Sequence, residues 1–163
     1  MKLPEQSAIK SIDLTGWERD PDTHVDGRAL NFHLPEASKV QLIFHYRDRS
    51  LDADSQRSFA KLLSKPAHEL TLQEREEIEM VLRYVSEPEY FGFSNIRTET
   101  LNGKMVLLIE GIWKKSRLST YGIFVSTDAN ASAVEEIHFV APHTTFQQFS
   151  AKAKQAFNSI TWK

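Results

Sequence analysis

Between Met105 and Trp162 the chain carries three extended apolar segments in series and then a helical stripe of phenylalanines. That succession admits few folds. Met105–Trp113, Tyr121–Ser126 and Val134–Ala141 read as strands, and Thr145–Phe157 as a helix that covers them. In that helix Phe146, Phe149, Ala153 and Phe157 recur at three- and four-residue steps, so they share one face. Burying three phenylalanine rings contributes roughly 5–9 kcal/mol before chain entropy is counted. The expected architecture is an antiparallel sheet closed by a C-terminal helix.

Upstream, Asn31–Leu34 and Val40–Arg47 alternate apolar and polar residues on either side of Pro35–Lys39. A five-residue loop pairs Leu34 with Val40 and Phe32 with Leu42, which places the large apolar residues on one face. Two helices follow. The first is expected over Ser55–Ser64, with Asp54 as its cap and Phe59, Leu62 and Leu63 turned inward. The second opens on the capping box Thr71-Leu72-Gln73-Glu74, carries Ile78, Leu82 and Val85 as one stripe, and stops at Pro88. Its outer face offers the pairs Arg75–Glu79 and Glu79–Arg83, and its run of glutamates reads as solvated.

Neither helix is apolar enough for a core of its own, so residues 54–86 are expected to be an insertion packed beside the sheet. Asn102-Gly103 is the strongest hairpin turn signal in the chain. Met105–Ile109 is apolar on both faces and predicts a central strand. Gly111 predicts a bulge or a close backbone approach, and Trp17 is expected to pin the N-terminal arm. The whole chain, 1–163, reads as a single α+β domain with a central antiparallel sheet flanked by helices.

Composition narrows the chemistry. The chain has 163 residues, 40% of them apolar, and no cysteine, which removes disulfides, thiolate metal sites and cysteine nucleophiles. A formal charge of −2 gives no general attraction to nucleic acid or to an anionic membrane. No apolar run approaches the ~20 residues of a spanning helix. Met1–Ser7 has no apolar segment of signal-peptide length, which sets the expectation of a soluble, cytoplasmic protein. No serine sits in a G-x-S-x-G elbow, and no glycine-rich phosphate loop is present.

The segments Gly103–Leu108, Tyr121–Val125 and Glu136–Pro142, followed by Phe146-Gln147-Gln148-Phe149 and the ending Phe157-Asn158-Ser159-Ile160-Thr161-Trp162, carry a resemblance. Together they look like the C-terminal half of the Mog1/PsbP-like families. There, a strand ending in Ala-Pro or a similar dipeptide leads into a helix that finishes in F-x-S-[IL]-x-[FW]. The resemblance implies an α/β/α sandwich around an antiparallel sheet. It also implies a mostly non-enzymatic repertoire: a Ran-binding factor, extrinsic photosystem II subunits and secretion chaperones of the DcrB-like group. The matched residues are a packing signature, and fold alone does not carry function.

Candidate site residues fall in two places. Trp113, Lys114, Lys115 and Arg117 put an aromatic ring and three cations at a strand end and turn, where they suit an anchor for a negatively charged partner. His33, His45 and Arg47 lie on the polar face of the first hairpin, with His24 near in sequence. In the register above His45 sits opposite Ala29, too far from His33 for one metal shell, so no metal or cofactor is expected. Asp48, Asp52 and Asp54 lack the glycine and glutamate of an EF-hand. His143 is expected to serve the turn into the last helix.

The leading expectation is a non-enzymatic accessory protein that binds another protein, without nucleic acid or a membrane span. The alternative is an enzyme or small-ligand carrier with a pocket between the sheet and residues 54–86, using His33, His45 or Arg47. A further alternative is a secretion-type chaperone, which needs a long apolar groove.

Overall fold

A computed structural model describes residues 7–21 and 29–163, residues 29 and 46–48 through their backbone only. Its strands are β1 (Ile9–Ser11), β2 (Glu18–Arg19), β3 (Ala29–Leu34), β4 (Ala37–Ser50), β5 (Phe91–Leu101), β6 (Lys104–Trp113), β7 (Leu118–Ser126), β8 (Ala133–Pro142) and β9 (Thr161–Trp162). Its helices are α1 (Ala53–Ser64), α2 (Leu72–Glu77), α3 (Glu79–Leu82) and α4 (Phe146–Asn158), with a 3-10 turn over Arg83–Ser86. Seven strands form one antiparallel sheet in the order β2-β3-β4-β8-β7-β6-β5, and β1 pairs with β9 in a separate ribbon. No helix among the described residues is long and apolar enough to cross a membrane.

Period-two alternation splits the sheet's side chains between two cores. Val106 and Leu108 of β6, Ile123 and Val125 of β7, and Ile137 and Phe139 of β8 face one way and pack with α4. Leu107, Ile109, Phe124 and Val134 face the other way and pack with Phe59, Leu62, Ile78, Val81, Leu82 and Val85 of the 53–86 segment. The phenylalanine stripe lies as the spacing predicts: Ala153 and Phe157 are buried, Phe146 and Phe149 pack half-buried, and Phe146 stacks on Phe139 at 4.9 Å. Trp17 joins the same core and fastens the arm.

Several local expectations are corrected. Phe32 pairs with Leu42, but Leu34 pairs with Ala37, because Pro35-Glu36 closes a tight turn and a bulge after His33 absorbs the offset. The cap of α1 is Asp52, whose carboxylate accepts from the Ser55 amide at 2.9 Å, so the helix starts two residues earlier than expected. The capping box of α2 forms as predicted, yet the helix breaks at Ile78 (φ −109°, ψ 20°) and again at Arg83 (φ 56°). The breaks swing Ile78, Val81, Leu82 and Val85 all onto the sheet.

They also end the expected i,i+4 pairs: Arg75 instead lies over the Phe93 ring and Arg83 over Tyr84. Strand β6 is buried on both faces but is next to the edge rather than central. Gly111 does mark a close approach, since a Cβ there would sit 2.3 Å from the Gly92 carbonyl oxygen and 2.6 Å from the Phe91 ring. The facing bulge lies between Phe93 and Asn95. Over its middle, the outer edge of β5 is taken by residues 68–70: Leu70 donates to the Ile96 carbonyl and Thr98 to that of His68.

Candidate functional site

The Asn102-Gly103 turn, with φ of 51° and 86°, starts a hairpin whose far end brings Phe91 opposite Trp113. Phe91 is fully buried because Gly111 leaves room for its ring, and Trp113 meets that ring edge-on at 5.0 Å. The backbone of the tip is held on both sides. Lys114 donates to the Tyr90 carbonyl at 2.9 Å, and Arg117, at φ 59°, donates to the Trp113 carbonyl at 2.9 Å. Across from it, Glu87 donates to the Tyr84 carbonyl and Tyr90 to that of Glu87. Tyr84, Tyr90, Trp113, Lys115 and Ser116 thereby line one open concavity of about 640 Å³.

Tyr84 is 63% exposed and Tyr90 50%. With Leu72 and Met80 they are the exposed large apolar side chains among the described residues, so every one falls between positions 72 and 90. A monomer gains nothing in stability from rings left in water, and an exposed aromatic cluster rimmed by charge is the usual mark of an interaction surface. The structure places Lys114, Lys115 and Arg117 at the exposed turn and Trp113 half-buried at its base. Sequence reasoning missed Tyr84 and Tyr90. Counting back from Asn102-Gly103 sets Trp113 opposite residue 92, one short of its observed partner Phe91 and two from Tyr90.

The histidine candidates do not gather. His33 bonds Asp20 and lies 3.4 Å from Glu18, at the β2–β3 side of the sheet. His45 sits opposite Ala29, as the expected register has it, and on its other flank pairs with Glu136 of β8. Its ring meets that of His138 edge-on at 5.9 Å, and His138 Nε2 is 3.1 Å from Glu136 Oε1. Arg49 donates to the Met80 and Val81 carbonyls, each at 2.6 Å, and lies 3.4 Å from Glu136. Burial alone would raise the Glu136 carboxyl, but His138, Arg49 and His45 outweigh it and hold the group below its ordinary value. Gly122 is the floor under His138: a Cβ there would come 2.2 Å from Nδ1.

This cluster ties β4, β8 and the end of α3 together. The Arg47 side chain and His24 lie outside the described residues. No group of three or more His, Asp or Glu side chains among the described residues is gathered to hold a metal ion.

Two further concavities lie elsewhere on the described surface. One, of about 530 Å³, contains Lys65, His68 and Glu74. Glu74, expected to be solvated, is only 9% exposed and bonds His68, Lys65 and the Thr71 amide. The other, of about 820 Å³, lies between the arm at Asp13–Trp17 and α4. His143 accepts or donates at 2.9 Å to Ser119 and its amide donates to the Arg117 carbonyl, so it braces the turn into α4 against the β7 side of the hairpin tip.

No protein-family model matches this chain. A search of curated proteins likewise finds no match.

Proposed function

We propose that this chain is a non-catalytic binding protein, of Mog1/PsbP-like α/β/α architecture, that holds another protein at the Tyr84–Tyr90–Trp113 groove. The observation that carries this reading is the convergence of three aromatic side chains, two of them at least half exposed, on one open concavity at a well-braced hairpin tip. Rings on a rigid support lose little entropy when covered, which is why aromatic residues concentrate binding energy. Strand addition is a weaker route for this chain, because residues 68–70 already occupy the middle of the β5 edge. The enzyme or carrier alternative rests on the side of the sheet that holds His45. There the polar atoms of Glu136 and His138 meet each other, and the Arg49 guanidinium bonds the carbonyls of α3.

Photo-crosslinking in cells tests the proposal, with benzoylphenylalanine placed at position 90 or at the exposed Gln155 of α4. Protein adducts are expected at 90 and not at 155. Adducts equal at both positions, or still formed at 90 when Tyr84 and Trp113 are alanine, would remove the groove as the binding surface.

A further inference from the structure

Resting on that reading, we propose that the occupant of the groove is a linear peptide segment of a partner, with an apolar anchor side chain flanked by acidic residues. The aromatic side of the groove supplies the anchor site, and the turn beyond it supplies the charge.

Lys114, Lys115 and Arg117 are all exposed, and no Asp or Glu occurs between Glu110 and Asp128. Some cations elsewhere make ion pairs, Arg49 with Glu136, Arg57 with Asp54, Lys65 with Glu74, Arg97 with Glu99 and Glu110, and Lys152 with Glu36, while Lys10, Lys39 and Lys61 make none among the described residues. None of the three cations of the turn makes an ion pair among the described residues. Lys115 lines the groove itself, and Lys114 and Arg117 are its exposed neighbours in the turn, so the rings adjoin a short run of positive charge. That is the complement of a negatively charged ligand, and it favours acidic partners in rate and in choice.

The size of the concavity suits a short segment rather than a domain face. The charge is also one-sided. Glu87 and Glu89 precede Tyr90 in the chain, away from the basic turn in sequence, so a ligand gains by carrying its acids on the turn side of the anchor. Single-stranded nucleic acid shares the taste for rings and cations. It is disfavoured because a phosphate track needs a longer basic path than one turn.

Panning a random peptide library on the full chain, with the Tyr84→Ala/Tyr90→Ala variant as counter-selection, reads the preference directly. Both tyrosines are at least half exposed, so that variant folds, which circular dichroism checks. Enriched peptides are expected to carry an aromatic or leucine anchor and net negative charge. Their affinity should fall about tenfold for Lys114→Glu/Lys115→Glu and should weaken as salt is raised. Enrichment of neutral or basic peptides would overturn the acidic assignment and leave the protein-binding groove standing. No enrichment over the tyrosine variant would remove both. Tighter binding of polyuridylate than of the best peptide would overturn both in favour of nucleic acid.

Discussion

The side-chain amide of Asn102 lies 2.8 Å from the carbonyl oxygen of Ile160, and the same nitrogen is 3.3 Å from the Phe157 carbonyl and 3.2 Å from that of Asn158. A hairpin turn thus caps the C-terminal end of α4. Returning the contact, Trp162 Nε1 donates to the Leu101 carbonyl at 2.8 Å. Asn102 also sits at φ 51°, where asparagine and glycine are tolerated best. Replacing it with glycine keeps the turn and removes the cap. Asn102→Gly is expected to cost about 1–2 kcal/mol, since the carbonyls at the helix end lose their donor. Urea unfolding should show a lower midpoint at unchanged slope, and Asn102→Ala should be worse than Asn102→Gly.

Gly122 and His138 face each other across β7 and β8, with no space for a methyl group between them. Gly122→Ala is expected to destabilise by about 1–3 kcal/mol through overpacking. Combining it with His138→Ala should cost less than the sum of the two single changes, because the clash is then gone. Thermal melts of the four proteins in the cycle measure the coupling. Strict additivity would mean that the ring turns away at no cost.

Glu74 and His68 give the stability a pH signature. Burial alone would raise the Glu74 carboxyl, but the Thr71 amide, His68 and Lys65 outweigh it and hold the group down at about 2, from an ordinary 4.5. A depressed carboxyl contributes stability that is present above 4.5 and is lost as pH falls from there through about 2. His68 is raised above 6.5 by its bonds to Glu74 and the Pro66 carbonyl. Its contribution is full below 6.5 and fades as pH climbs through the raised value.

The pair is therefore strongest between 4.5 and 6.5. Glu74→Gln should lose on the order of 2–3 kcal/mol there and should flatten the acid limb. Urea midpoints at about pH 3, 5.5 and 8 check the sign. Equal loss at all three would refute the linkage.

Arg49 adds a polar tie between the 53–86 segment and the sheet to the apolar contacts there. Its two guanidinium nitrogens reach the Met80 and Val81 carbonyls, and Glu136 is left mostly buried without it. Arg49→Ala is expected to destabilise by about 3 kcal/mol or more. Amide exchange should accelerate first over residues 79–86 rather than along β8. Uniform acceleration across the chain would show that the insertion and the sheet open as one unit.

Much of the fold was legible because its signals are local and repeated. The alternation in Val134–Ala141 and the three- and four-residue steps from Phe146 to Phe157 each specify a face before any tertiary contact is known. The capping box at Thr71 and the Asn102-Gly103 turn are chemistry within four residues. What was not legible depends on choices the local sequence leaves open. Asp52 and Asp54 both precede the helical stretch and are both cap-type residues, so the local sequence alone does not choose between them. Ile78, Leu82 and Val85 suit an unbroken helix as well as the broken one.

The candidate groove was half legible. Trp113 and its lysines announce themselves in a row, whereas Tyr84 and Tyr90 are lone aromatics with no period. The bulge in β5 shifts the pairing by one residue, so Trp113 lies opposite Phe91 rather than Gly92.

Leu70 and Thr98 have one more implication, for how copies of this chain meet. An outer strand whose central amides and carbonyls are already zipped to its own polypeptide has little left to lend a neighbour. Fibril-like stacking through that flank is blocked at its midpoint. Self-assembly through that flank would have only the ends of the strand to use, so it would have to start from another surface.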